Sequence, residues 1–134
     1  MTDICRMQKE DIDVNLLLKK TRDKSDGAQL VFVGCVRDDG MEGLAIEAFV
    51  PAAEKDLADI SAEAKQIPGV RACHIIHRFG RLAVGETIVV TVVCAAHRAE
   101  GYVASRLVLE RIKEKVPIWK QEVLAGGKLG KWVH

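Results

Sequence analysis

One uncharged run, residues 87–96 (TIVVTVVCAA), constrains the fold of this 134-residue chain more than any other segment. Its apolar residues are consecutive rather than alternating, which is typical of a strand buried on both faces. A transmembrane helix needs about 20 apolar residues, so the run is too short to cross a bilayer. The sequence therefore predicts that residues 86–96 form a central strand of a sheet.

Local patterns predict the elements around this strand. The predicted helices cover residues 11–20, 51–66 and 97–115. The other predicted strands cover residues 28–36, 44–50, 70–79 and 118–123, with a turn over residues 80–85. Pro51 suits the first turn of the second helix, and Pro117 blocks continuation of the third. This order predicts an α+β fold in a single domain over residues 1–134, with helices packed on a largely antiparallel mixed sheet.

Composition and charge exclude several classes of function. The net charge of +1 gives no general electrostatic attraction to nucleic acids or membranes. The first residues are charged and lack the apolar core of a secretion signal. The cysteines are Cys5, Cys35, Cys73 and Cys94, and none of them form a CxxC pair. We therefore expect reduced thiols in a cytoplasmic protein, with Cys94 in the core.

Two segments could bind a phosphate group. Arg37 follows Gly34 at a strand end, where a glycine lets a ligand approach, and a guanidinium can hold a phosphate with paired hydrogen bonds. A surface salt bridge is the simpler interpretation of Arg37. His97 and Arg98 open the third helix, where free backbone N–H groups and the helix dipole favour anions. An ordinary polar helix start is the alternative there.

Lys113 and Lys120 lie on either side of the turn that Pro117 imposes. Two lysines that are close together disfavour each other's charge, which lowers a pKa. A lysine with a lowered pKa can act as an acid, a base or a nucleophile. The alternative interpretation is that cationic residues are simply favourable near the C-terminus of a helix.

Helix geometry relates these two groups of residues. At about 100° per residue, Arg98, Ser105, Leu109 and Lys113 fall on one face, within about 80°. Arg98 and Lys113 are nevertheless fifteen residues apart, or about 22 Å along the axis, too far for one small phosphate ligand to touch both. Two chains packed in opposite directions would bring Arg98 of one near Lys113 of the other. The sequence therefore predicts a site shared across a dimer.

Other candidate residues carry weaker signals. His74 and His77 are three residues apart on a predicted strand, so they point to opposite faces and do not predict a shared metal site. Cys35 could be a reactive thiol because the positive charge of Arg37 is near. No pattern in the chain predicts a metal ion or an organic cofactor.

Taken together, four segments resemble the large subunit of molybdopterin synthase in order and spacing. They are residues 32–38 (FVGCVRD), 47–57 (EAFVPAAEKDL), 74–98 (HIIHRFGRLAVGETIVVTVVCAAHR) and 113–122 (KEKVPIWKQE). The resemblance implies an α/β hammerhead fold and a homodimer that carries one small, ubiquitin-like partner on each large subunit, giving a heterotetramer. It also implies that the partner's C-terminal Gly-Gly thiocarboxylate supplies sulfur to cyclic pyranopterin monophosphate, which becomes the dithiolene of molybdopterin.

The resemblance further implies roles for seven residues. They are Lys113 and Lys120 as catalytic residues, and Arg37, His97, Arg98, Phe32 and Leu109 as substrate-binding residues. Three positions depart from the family pattern. Leu109 stands where methionine is expected in some relatives. Ala52 stands where the family often has methionine, and Phe49 stands where it often has tyrosine. At Phe49 and Ala52, beside the start of the second helix, we expect effects on packing more than on chemistry.

Two other functions remain compatible with this pattern. A non-catalytic, anion-binding scaffold dimer of the same fold would keep the core but would not need Lys113 and Lys120. A thiol-based transferase would depend on Cys35 instead.

Overall fold

The computed structural model describes residues 2–133, which form eight strands, three α-helices and one short 3₁₀ turn. The elements in chain order are β1 (Cys5–Gln8), α1 (Val14–Thr21), β2 (Ala28–Cys35), β3 (Gly43–Ala48), α2 (Val50–Ala64), β4 (Val70–Arg78), β5 (Gly80–Ala83), β6 (Thr87–Ala95), α3 (Arg98–Lys115), β7 (Ile118–Val123), the 3₁₀ turn (Ala125–Gly127) and β8 (Leu129–Val133). No helix among these residues is both long and apolar enough to cross a membrane.

The first sheet has the strand order β1-β4-β6-β2. Strand β1 runs parallel to β4, and the other neighbours are antiparallel. Strand β6 lies between β4 and β2, and residues 90–95 are all buried. The prediction of a central strand is therefore confirmed, as is the burial of Cys94. All four cysteines have free thiols.

A second sheet, in the order β5-β3-β7-β8, is antiparallel throughout. The sequence predicted a single sheet and did not identify β1, β5 or β8. The predicted turn over residues 80–85 was wrong in its first four residues, because Gly80–Ala83 is a strand paired with β3. Gly80, the first residue of β5, has a φ of +98°, a backbone conformation that glycine adopts without strain.

The helices cover both faces of the first sheet. Alternate residues of β4 point to opposite sides, so Cys73 and Ile75 join the core under α2 and α3, while Ala72 and Ile76 join the core under α1. Gly101 of α3 packs closely on β2, since a Cβ there would lie 2.3 Å from Cδ2 of Leu30. Glycine therefore allows α3 to lie directly against the sheet.

The helix boundaries have local causes. Helix α1 begins at Val14, three residues later than predicted, because the Asp13 carboxylate caps it by accepting a hydrogen bond of 3.0 Å from the Leu16 N–H. Helix α2 has Pro51 in its first turn, as predicted. Helix α3 ends at Lys115, and Pro117 follows two residues later.

His74 and His77 lie on opposite faces of β4, as predicted, and the fold requires both to be neutral. Nδ1 of His74 accepts a hydrogen bond of 3.0 Å from the Ile4 N–H, which ties the chain before β1 to β4. Burial lowers the pKa of His74, and it lowers the pKa of His77 to about 4. A charged imidazole at either position would lose solvation that the fold does not replace.

The neutral histidines predict a loss of stability in mild acid. The unfolded chain binds more protons than the folded chain below the ordinary histidine pKa of 6.5, so the free energy of unfolding falls as the pH falls toward 4. Between pH 7 and pH 5 we expect about 2 kcal/mol of loss from His77 alone. Urea unfolding at fixed protein concentration measures it. In the His77→Gln variant, the loss of unfolding free energy that comes from His77 should vanish, while the loss from His74 remains. An unchanged pH dependence of the unfolding free energy would contradict the assignment of a neutral, buried His77.

Candidate active site

A cavity of about 920 Å³ lies where the two sheets meet the C-terminal half of α3. Its walls come from β2, β4 and β6 of the first sheet, from α3 and the turn after it, and from β7 and β8 of the second sheet. The lining residues are Phe32, His77, Val89, Leu109, Ile112, Lys113, Val116, Ile118, Trp119, Lys120, Trp132 and Val133. Most of this surface is apolar, with three titratable side chains set into it.

The turn at Pro117 places the two lysines in this cavity. Lys113 lies in the last turn of α3 and is exposed, while Lys120 lies on β7, opposite Ile46 of β3, and is half-buried. Val116 is buried between them, and its N–H donates to the Ile112 carbonyl to close the helix. The chain then reverses into β7, so the two ammonium groups enter one cavity from different walls.

The electrostatics of the cavity favour an anion. Burial, and then the charge of Lys113, lower the pKa of Lys120. Among residues 2–133 the lining includes no aspartate or glutamate, so neither lysine has a side-chain carboxylate partner there within the cavity. A bound anion would relieve this repulsion, and a lysine with a lowered pKa exchanges protons more readily near neutral pH.

Phe32 and Leu109 also line the cavity, on the strand β2 and on α3. The structure thus brings together four of the seven residues singled out from the sequence. Leu109 and Lys113 are one helical turn apart on the same face of α3, in accord with the helix geometry. Phe32 faces α3 because alternate residues of β2 do so.

Arg37 does not line the cavity. It lies beyond the end of β2, is largely exposed, and its Nε donates to both carboxylate oxygens of Asp39, at 3.0 and 3.1 Å. In the single chain Arg37 therefore forms the surface salt bridge that was the simpler interpretation from sequence. An exposed pair of this kind contributes little to stability, so the guanidinium can exchange it for another anion.

His97 and Arg98 lie at the opposite end of α3 from the cavity. His97 is the N-cap residue, and its Nδ1 lies 3.3 Å from Glu100 Oε2. Both side chains are exposed, and Arg98 forms no ion pair within residues 2–133. The helix is continuous from Arg98 to Lys115, so Arg98 and Lys113 are about 22 Å apart along the axis. One chain therefore does not bring its seven candidate residues together.

Exposed apolar side chains lie on both β2 and α3. Strand β2 is an edge strand, paired only with β6, and Val31 and Val33 are 39% and 41% exposed. On α3, Tyr102 and Val103 are 64% and 60% exposed. Apolar side chains concentrated beside an unpaired strand edge are typical of a surface covered in an assembly.

Sequence reasoning missed three kinds of lining residue. His77 was considered only as a metal ligand, although its alternation with His74 already placed it on the opposite face of β4; the structure shows that this face, with Cys73 and Ile75, lies under α2 and α3. Trp132 and Val133 lie on β8, which was not predicted as a strand. Trp119 was not singled out as a site residue, yet it is 51% exposed and forms part of the cavity wall.

Comparison with known proteins points to one family. A family model described as MoaE protein matches residues 7–115. A molybdopterin synthase catalytic subunit from Thermoplasma volcanium is 35% identical over 92% of each chain, and one from Staphylococcus carnosus is 40% identical over 84% of this chain and 77% of its own length.

Solved structures agree with the sequence relatives. Molybdopterin synthase from Staphylococcus aureus superimposes with a TM-score of 0.87 and 37% identity, covering 96% of both chains. A complex of subunits 1 and 2 of molybdopterin-converting factor from Helicobacter pylori contains a chain with a TM-score of 0.80 and 25% identity, covering 93% of this chain and 87% of that one. The similarity therefore extends over nearly the whole fold, including both sheets.

Proposed function

Because the chain belongs to the MoaE family of molybdopterin synthase catalytic subunits, we propose that it is a sulfurtransferase acting on cyclic pyranopterin monophosphate. The sulfur comes from the C-terminal thiocarboxylate of a small, ubiquitin-like carrier subunit, and two transfers form the dithiolene of molybdopterin. The observation that carries this proposal is the cavity with Lys113 and Lys120 in its lining and, among the described lining residues, no aspartate or glutamate beside them.

The cavity suits a narrow chain end that carries a negative charge. Two extended glycines span about 7 Å and have no side chains, so a Gly-Gly tail can pass between bulky walls. Trp119 and Trp132 provide such walls, and the lysines provide the counter-charge for a thiocarboxylate. The Helicobacter pylori relative was solved as a complex of two different subunits, which supports a carrier partner for this chain.

The lysines have distinct tasks in the proposed reaction. The thiocarboxylate sulfur lies beside Lys113 and attacks a side-chain carbon of the pterin. A C–S bond forms and a C–O bond at that carbon breaks, so carrier and substrate are joined as a thioester and the departing oxygen takes up a proton. Lys113 stabilises negative charge that develops in this step, and Lys120, whose pKa is lowered, transfers protons. Hydrolysis of the thioester then releases the carrier with an ordinary carboxylate and leaves the sulfur on the pterin.

The substrate phosphate requires residues that the cavity of one chain lacks. We assign them to Arg37 and, from the other subunit of a homodimer, to His97 and Arg98. The supporting argument is the length of α3, which places Arg98 about 22 Å from Lys113 along the helix axis within one chain. The exposed apolar residues of β2 and α3 supply a surface for the dimer, and one carrier on each subunit completes a heterotetramer.

Reconstitution tests the proposal directly. Purified chain mixed with a thiocarboxylated carrier should convert cyclic pyranopterin monophosphate to molybdopterin, measured as its fluorescent oxidation product. A carrier lacking its last two glycines should bind more weakly and give no turnover, because its sulfur cannot reach the lysines. Sulfur transfer from the truncated carrier would exclude tail insertion, and no conversion with the intact carrier would exclude the proposed reaction.

Substitution of the lysines separates catalysis from scaffolding. Lys113→Ala should lower kcat/KM by at least about tenfold, or ~1.4 kcal/mol of transition-state stabilisation, with Lys120→Ala next in severity. Folding should survive both changes, since Lys113 is exposed and Lys120 only half-buried. Circular dichroism and the steady-state rate measure these two effects.

Two matched variants control this comparison. Lys115→Ala removes a charge from the same last turn of α3 but outside the cavity lining, and it should retain activity. Cys35→Ser should also retain activity, whereas a thiol-based transferase would lose it. Near-normal rates in both lysine variants would leave the scaffold dimer as the better hypothesis.

Complementation tests the shared site. Arg98→Ala and Lys113→Ala homodimers should each be nearly inactive. After mixing and subunit exchange, one site of each heterodimer carries both substitutions and the other carries neither. Random exchange makes half the dimers mixed, so activity should return to roughly a quarter of wild type. Exchange is verified by mass spectrometry of differently tagged chains. Demonstrated exchange without recovered activity would mean that each site is built within one chain.

A further inference from the structure

Glu100 lies in the first turn of α3, three residues after the N-cap residue His97. Its Oε2 lies 3.3 Å from Nδ1 of His97. The side chain of Glu100 is only 18% exposed, whereas that of His97 is 81% exposed. The carboxylate is therefore turned toward the protein, and the imidazole extends from it into solvent.

A glycine in the loop between α2 and β4 makes room for this carboxylate. Gly69 has a φ of +92°, and its carbonyl accepts a hydrogen bond of 2.9 Å from the N–H of Ala96, the residue before His97. A Cβ at position 69 would overlap Oε2 of Glu100 and lie 2.9 Å from its Cδ. The carboxylate thus occupies a defined place over the backbone of Gly69, from which a side chain at position 69 would displace it.

Glu100 also relieves His97 of capping the helix. A glutamate three residues after the N-cap is the arrangement of a capping box, in which the glutamate side chain reaches back to the free N–H groups of the first turn. The side chain of His97 forms no cap hydrogen bond. Hydrogen bonding to its own backbone N–H, and then to the imidazole of His97, lowers the pKa of the Glu100 carboxyl, which is therefore ionised at neutral pH.

The carboxylate determines which nitrogen of His97 carries the proton. An ionised carboxylate can only accept, so Nδ1 of His97 is the protonated, donating nitrogen. Nε2 lies on the other edge of the ring and has no hydrogen-bond partner within residues 2–133. When the ring is charged, Nε2–H is the donor that remains for an anion.

We propose that Glu100 is a positioning residue for His97. Its carboxylate, seated over Gly69, holds the imidazole with Nδ1 inward and Nε2 outward, toward the phosphate of a substrate in the site of the other subunit. A ring that is held before binding does not have to be immobilised when the phosphate arrives, which lowers the cost of binding. The effect on substrate affinity rests on the proposed function, but the contact between the two side chains does not.

Charge and position predict opposite effects of Glu100 on an anionic substrate. By charge alone, a carboxylate near the phosphate repels it, so Glu100→Ala would tighten binding and Glu100→Asp would leave it unchanged. By position, both changes release the imidazole, because aspartate keeps the charge at the start of the helix but is one methylene too short for the contact. Positioning therefore predicts weaker binding in both variants.

Long-range ¹H–¹⁵N NMR of the full-length chain labelled with ¹⁵N-histidine tests the contact, at a pH at which the rings are neutral. The His97 signals are assigned by their loss in His97→Gln. In wild type the proton should be on Nδ1, and in Glu100→Ala it should move to Nε2, the tautomer that a free imidazole prefers in water. An unchanged tautomer in Glu100→Ala overturns the proposal.

Gly69→Ala is an independent test that leaves Glu100 in the chain. Its methyl group takes the place of the carboxylate, so the proton of His97 should again move to Nε2. Circular dichroism establishes that each variant is folded. Because alanine is strained at a φ of +92°, Glu100→Ala and Glu100→Asp decide the question if Gly69→Ala does not fold.

Isothermal titration calorimetry with cyclic pyranopterin monophosphate tests the role in binding. Glu100→Ala and Glu100→Asp should raise Kd about fivefold, the cost of immobilising one side chain on binding. Glu110→Ala is the matched control, since it removes an exposed carboxylate further along the same helix, and it should bind like wild type. Tighter binding by Glu100→Ala, or wild-type affinity in Glu100→Asp, overturns the positioning role.

Turnover distinguishes this role from the proposed reaction. In the reconstituted assay both Glu100 variants should raise KM about fivefold with little change in kcat, because His97 holds the phosphate and not the reacting atoms. If Kd rises as expected but no chain transfers sulfur, wild type included, the proposed reaction fails and the positioning stands. If Glu100→Ala transfers sulfur with wild-type KM and its His97 tautomer is unchanged, the positioning alone fails.

Discussion

Burial of β6 on both faces is the constraint on which the rest of this structure depends. A strand without a polar face must be covered on each side, and here α2 and α3 cover one side and α1 the other. Helix α3 starts where β6 ends and packs back along the sheet. Its last turn therefore returns to the level of Val89, near the start of β6, and the cavity forms there.

The same arrangement explains why the cavity carries unbalanced positive charge. Its walls are core-like surfaces from two sheets and a helix, so Lys120 and His77 are partly removed from water, and both have lowered pKa values. An unpaired cation in such surroundings costs free energy. The fold tolerates this cost at a place where an anionic ligand would offset it, which is the pattern of a site rather than of a core.

The length of α3 decides what one chain can do alone. Helix α3 has eighteen residues, with Arg98 at its first position and Lys113 in its last turn. No bending of a regular helix shortens that distance enough for one small ligand to reach both. The exposed edge of β2, with its apolar side chains, lies beside the same helix. In the proposed dimer, the surface that covers these apolar residues would also complete the site.

The sequence alone determined the elements whose signals are local. The apolar run gave the central strand, Pro51 and Pro117 bounded helices, and the spacing of Leu109 and Lys113 placed both on one face. Strands β1, β5 and β8 were missed because four or five residues carry no distinguishing periodicity. Strands β1 and β5 pair with strands that are distant in the sequence, and β8 pairs with β7 just before it. The division into two sheets, the cavity between them, and the presence of both His77 and Lys120 in its lining arise only from tertiary packing, because residues 77 and 120 lie on different sheets that no local pattern relates.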